Sequence, residues 1–98
     1  MDSESDIPKL KSEEEIREIL KVISRKGVGE ILKSLRNSPK KFSQIMFETR
    51  LNPSIIDRHL KALSKLGLVT KEGENYKLTS CGVYVLKIFD DLYKAINP

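Results

Sequence analysis

Asn52-Pro53-Ser54-Ile55-Ile56-Asp57-Arg58-His59-Leu60-Lys61-Ala62-Leu63-Ser64-Lys65-Leu66-Gly67 contains a start, a two-sided body and a stop. Asn accepts from the exposed N–H groups of a first helical turn, and Pro fits the first helical position because its missing N–H would go unpaired there anyway. Ile56, Leu60, Leu63 and Leu66 recur on one side of a 3.6-residue period, while Ser54, Arg58, Lys61 and Lys65 fall on the other. Gly67 is placed to take the left-handed conformation that ends a helix. The stretch predicts a helix over residues 53–66 with one apolar and one basic face. His59 projects to the edge of the apolar side and is expected to pack beside Leu63 and Leu66.

Upstream, Ser12 and Glu15 have capping-box spacing, and Ile16, Ile19, Leu20 and Ile23 form a stripe, so a first helix begins after Ser12. Val28, Ile31, Leu32 and Leu35 repeat that spacing between the break at Gly27 and the turn Asn37-Ser38-Pro39. Lys40-Lys41-Phe42 reads as a short extended link, after which Ser43 caps a short third helix carrying Ile45 and Met46 to about Thr49. Downstream, Leu68-Val69-Thr70-Lys71 and Tyr76-Lys77-Leu78-Thr79 flank Glu72-Gly73-Glu74-Asn75, a hairpin pattern. Thr79 or Ser80 then caps a last helix, about residues 80–96, whose apolar positions (Val83, Val85, Leu86, Ile88, Phe89, Leu92, Tyr93, Ile96) exceed one stripe. Residues 1–11, acidic and without periodicity, read as a mobile arm, and residues 12–98 as one domain.

With 98 residues the chain can build one core but not two. No apolar run approaches the roughly 18 residues of a membrane span, and the acidic, polar start does not resemble a secretory signal. A cytoplasmic protein with no membrane partner is expected. Cys81 and His59 are each the single residue of their type, which leaves no ligand cluster for a structural or sensing metal, and no cofactor is expected. Paired catalytic carboxylates, a Gly-rich phosphate loop and a nucleophile–base arrangement are also missing, so the chain reads as a non-enzyme. Cys81 is either a thiol activated near a helix start or a small buried residue. The formal net charge is +4, but residues 1–18 hold seven acids against three bases, leaving +8 on residues 19–98. Such a basic body suits a polyanionic partner.

Helix, helix, short helix, turn, helix and hairpin is the order of a winged helix-turn-helix. Ile31-Leu32-Lys33-Ser34-Leu35, Lys41-Phe42-Ser43-Gln44-Ile45, Arg58-His59-Leu60-Lys61-Ala62-Leu63, Gly67-Leu68-Val69 and Tyr76-Lys77-Leu78-Thr79-Ser80-Cys81-Gly82 together resemble the HxlR-type and ArsR-type regulators. The resemblance implies a mainly α fold with a small β hairpin, about five helices plus a two- or three-stranded wing sheet. It also implies a sequence-specific regulator binding double-stranded DNA, with helix 53–66 in the major groove. The helix-two tryptophan common among HxlR-type proteins has no counterpart in Gly27-Val28-Gly29, and the clustered Cys or His of ArsR-type metal sensors is missing.

On that frame Asn52, Ser54, Ile55 and Arg58 are the candidate base-reading residues, Arg58 foremost because its fork bonds both O6 and N7 of guanine. Ile55 either touches a thymine methyl or packs against the third helix. Lys40, Lys41, Ser43, Gln44, Lys61, Lys65, Lys71 and Lys77 are the candidate phosphate contacts, although Glu72 and Glu74 weigh against deep insertion of the wing. Leu86, Phe89, Leu92, Tyr93 and Ile96 are the candidate homodimer interface, with burial inside one protomer as the alternative. A competing reading is a winged-helix protein-interaction module of a transcription or replication assembly. No effector, operator or direction of regulation is legible.

Overall fold

Asn52 caps the decisive helix as its chemistry requires: Oδ1 accepts from the Ser54 backbone N–H at 2.8 Å and from the Ser54 hydroxyl at 2.7 Å. The computed structural model describes residues 12–97, so the expected N-terminal arm lies outside the described residues. The helices are α1 (Glu13–Ile23), α2 (Val28–Ser34), α3 (Phe42–Thr49), α4 (Pro53–Lys65) and α5 (Ser80–Ile96). The strands are β1 (Lys40–Lys41), β2 (Val69–Glu72) and β3 (Asn75–Leu78).

α4 ends through two bonds that close its last turn, Gly67 N–H to Ser64 O at 3.0 Å and Leu68 N–H to Leu63 O at 2.9 Å. Gly67 takes φ 78°, which glycine adopts without a Cβ penalty, and this reversal buries Leu68 completely. The chain then enters β2, which pairs antiparallel with β3 from Val69↔Leu78 to Glu72↔Asn75, around a turn at Gly73-Glu74. Relative to expectation both strands lie one residue nearer the tip, so the turn shortens to two residues. β1 adds to the other edge of β3 (Lys40↔Tyr76, Lys41↔Asn75), giving the order β1-β3-β2. The link after α2 is therefore the third strand, which ties the base of α3 to the wing.

The core collects one face from every helix: Ile19 and Val22 from α1, Val28, Ile31 and Leu32 from α2, Ile45 from α3, Ile56, Leu60 and Leu63 from α4, Val85 and Leu86 from α5. At about 25 cal/mol per Å², such buried aliphatic side chains supply roughly 1.5–3 kcal/mol each before chain entropy is subtracted. Three expectations are corrected. α1 is rotated so that Ile19 and Val22 face inward while Ile16 and Leu20 are exposed, because α1 lies at the edge of the bundle and packs chiefly on α2 and α4. Lys41, not Ser43, occupies the cap of α3, and its backbone N–H donates to Gln44 Oε1 at 2.9 Å, so Phe42 opens the helix and packs against the core. Leu86, expected at an interface, is 3% exposed and belongs to the core.

α5 is docked at its first turn. Thr79 accepts from Gly82 N–H at 3.0 Å and donates its hydroxyl to Gly67 O at 2.6 Å, while Thr79 N–H donates to Leu68 O at 3.1 Å. A Cβ on Gly82 would lie 2.0 Å from Leu68 O, so this approach requires glycine. Further along, Arg36 grips Asp90 with two hydrogen bonds of 2.7 and 3.1 Å, and Lys33 lies over the Tyr93 ring.

Candidate nucleic-acid interface

The buried side of α4 comprises Ile56, His59, Leu60 and Leu63. His59, 4% exposed, places Nε2 3.0 Å from Lys26 O; a carbonyl only accepts, so Nε2 carries the proton. Its Nδ1 is buried without a partner. His59 thus packs as its projection implied, and it fastens α4 to the turn between α1 and α2.

The opposite side of α4 presents Ser54, Asp57, Arg58, Lys61, Ser64 and Lys65, all exposed. Ile55 is half-buried. Lys61 pairs with Asp57 at 2.9 Å, an i,i+4 pair that dilutes the basic face, whereas Arg58 has no ion-pair partner among the described residues. Asn52 and Ser54 have their side-chain oxygens committed to the cap, which leaves Arg58 as the exposed donor near the start of α4 without an ion pair among the described residues.

Between α4 and the wing runs an open cleft of about 480 Å³, lined by Asp57, Lys61, Ser64 and Lys65 from the helix and Lys71 and Tyr76 from the sheet. The Lys71 ammonium lies 5.2 Å from the centroid of the Tyr76 ring. Lys77 is drawn to Glu72 at 3.0 Å, so one wing cation is partly neutralised by its own hairpin. Of the proposed phosphate donors at the base of α3, Lys41, Ser43 and Gln44 are exposed, with Gln44 Oε1 held by the cap. Lys40 is corrected: its ammonium bonds Ser34 O and meets Glu48 at 3.3 Å, leaving the side chain only 16% exposed. It joins α2 to α3 and leaves the phosphate set. The sequence reading missed the Asp57–Lys61 pairing, legible from i,i+4 spacing, and the exposed pair Phe47 and Arg50, for which periodicity gave no signal.

Cys81 is half-buried at the start of α5, where burial pushes its thiol up and the Glu15 carboxylate adds to the shift. Both act against a thiolate and favour the reading of Cys81 as a small packed residue. Among the described residues no three His, Cys, Asp or Glu side chains are grouped to hold a metal ion, and no helix is long and apolar enough to cross a membrane.

A family model described as bacterial regulatory protein, arsR family, matches residues 25–71, from the turn before α2 into β2. An uncharacterized HTH-type transcriptional regulator of Methanocaldococcus jannaschii is 35% identical over 81 residues, covering 74% of this chain and 76% of the relative. The chain belongs to the HTH-type transcriptional regulators. Solved structures agree on the fold of this regulator. Quinone-bound YodB from B. subtilis superposes with a TM-score of 0.79 at 19% identity, covering 86% of this chain and 97% of that one. The homodimeric winged helix-turn-helix DNA-binding domain of Mb0332 from Mycobacterium bovis superposes with a TM-score of 0.67 at 20% identity, covering 86% of this chain and 80% of that one. Family and fold are those of transcriptional regulators, not enzymes.

Proposed function

We propose that the regulator binds double-stranded DNA sequence-specifically as a homodimer, with α4 in the major groove. The observation that carries the reading is the division of α4: four side chains anchor it in the core while Arg58, Lys61 and Lys65 line its outer face beside a cleft shared with Lys71. Arg58, with Asn52, Ser54 and Ile55 around it, addresses base edges; Lys41, Ser43, Gln44, Lys61, Lys65, Lys71 and the partly neutralised Lys77 address phosphates. The name of the Mycobacterium bovis neighbour, a homodimeric DNA-binding domain, supports the same reading.

The dimer reading rests on α5. Val85, Phe89, Leu92, Tyr93 and Ile96 follow each other at helical spacing, but only the first two meet the core, since every residue from 91 to 97 is exposed. The core-facing stripe therefore runs about two turns past the hydrophobic core of its own domain. A second copy laying the same stripe alongside buries both, and such a pairing sets two α4 helices roughly 34 Å apart, one turn of DNA. Selecting bound fragments from a random duplex library tests the proposal: an inverted-repeat motif is the expected product. Failure to enrich any duplex, with capture of a protein partner through α5, would favour the interaction-module reading. A cytoplasmic location is part of this proposal, as DNA is the partner.

A further inference from the structure

Arg50 is the one non-glycine with positive φ among the described residues, at φ 61° and ψ 20°. It closes α3, its N–H bonding Met46 O at 2.9 Å. Glycine would make the same turn without strain, and the Arg50 side chain is exposed with no ion pair among the described residues, so the fold does not call for it. Its guanidinium lies 5.6 Å from the centroid of the Phe47 ring, and Phe47 is 73% exposed, the most exposed large apolar side chain described. A planar cation held over an aromatic face keeps its five N–H donors directed outward.

Position gives the pair its target. Gln44 and Phe47, and Phe47 and Arg50, are three residues apart, and Ser43 and Phe47 are four, which sets all of them along one exposed line of α3. That line starts at the proposed phosphate donors and ends two residues before Asn52, a span of at most about 7 Å from the cap of α4. We propose that Arg50, braced by Phe47, is a further DNA contact, binding a backbone phosphate beside the bases addressed by the first turn of α4. The inference rests on the DNA-binding reading above.

The test compares the full chain with Arg50→Gly, Phe47→Ala and the double variant on the selected duplex and on unrelated duplexes, over a range of salt. Arg50→Gly is expected to melt at the same temperature or higher, because strain is removed, while affinity falls about tenfold on every duplex alike. The slope of log affinity against log salt should drop by about 1.8, one released counterion's worth from each half-site of the dimer. Phe47→Ala is expected to weaken binding less, and to add nothing in the Arg50→Gly background. Unchanged affinity and slope in Arg50→Gly overturn this inference while leaving the DNA reading intact; equal losses from Phe47→Ala in both backgrounds overturn the bracing. A wild-type chain that binds no duplex overturns both readings.

Discussion

Replacing Gly82 by Ala within α5 should destabilise the regulator, although the same change in a helix ordinarily stabilises by up to about 1 kcal/mol. The added Cβ would stand 2.0 Å from Leu68 O and 3.1 Å from its carbonyl carbon, both backbone atoms that no rotamer change can move. Since carbon–oxygen contacts under 3.0 Å essentially do not occur, α5 must retreat by about 1 Å. Retreat stretches two bonds that seat α5 on the end of α4, Thr79 N–H to Leu68 O and Thr79 Oγ1 to Gly67 O. Each contributes about 0.5–1.5 kcal/mol net, and the displaced packing of Val85 and Leu86 about 1–3 kcal/mol more. After subtracting the propensity gain, the expected loss is about 1–5 kcal/mol, or a fall in Tm of roughly 5–40 °C for a domain of this size. Urea unfolding followed by circular dichroism, with the m-value unchanged, measures it. Gly29→Ala provides the control: there the Cβ meets only the Phe89 ring at 3.1 Å, the end of a side chain that can turn aside, so the loss should be smaller. A Gly82→Ala protein as stable as wild type would refute the docking described for α5.

Three more outcomes are expected. His59→Ala removes the bond to Lys26 O and leaves a cavity under α4, so chemical denaturation should show a loss of about 2–4 kcal/mol; a loss below about 0.5 kcal/mol would mean that His59 does not anchor the helix. The two hydrogen bonds from Arg36, reinforced by its charge, hold the Asp90 carboxyl below the usual carboxylate range. Charged Asp90 therefore favours the fold above the unfolded value of about 3.9, and the contribution is lost as pH falls through the depressed folded value. The gap in Tm between wild type and Asp90→Asn should close at pH values below about 4, and a gap independent of pH would contradict the pairing. Finally, Leu92→Glu combined with Ile96→Glu should yield a helical monomer by sedimentation where the wild type sediments as a dimer, and an unchanged mass would remove α5 from the interface.

Local chemistry made α4 readable in advance, since Asn52, Pro53 and Gly67 each act within a turn of their own position and the apolar side of the helix has no competing stripe. α1 was less legible because Ile16, Leu20 and Val22 offer two apolar faces only about one residue apart in rotation, and the neighbours on α2 and α4 decide between them. Lys40 looked like one more surface cation; its inward turn depends on Ser34 O and Glu48, brought close by folding. Val85 and Leu92 lie on one stripe of one helix, and what separates buried from exposed is where the core ends beneath α5. Arg50 had no sequence signal at all, because a left-handed conformation is announced by Gly or Asn and not by Arg.

The central claim is that the outer face of α4 reads DNA, and it is tested most directly by the affinity of Arg58→Ala for the selected duplex relative to wild type at fixed salt. Loss of one bidentate base contact is worth about 1–3 kcal/mol and the homodimer loses two, so the account predicts binding weaker by about 30-fold or more, with preference relaxed at one base pair of each half-site. Equal affinity and an unchanged sequence preference would contradict it.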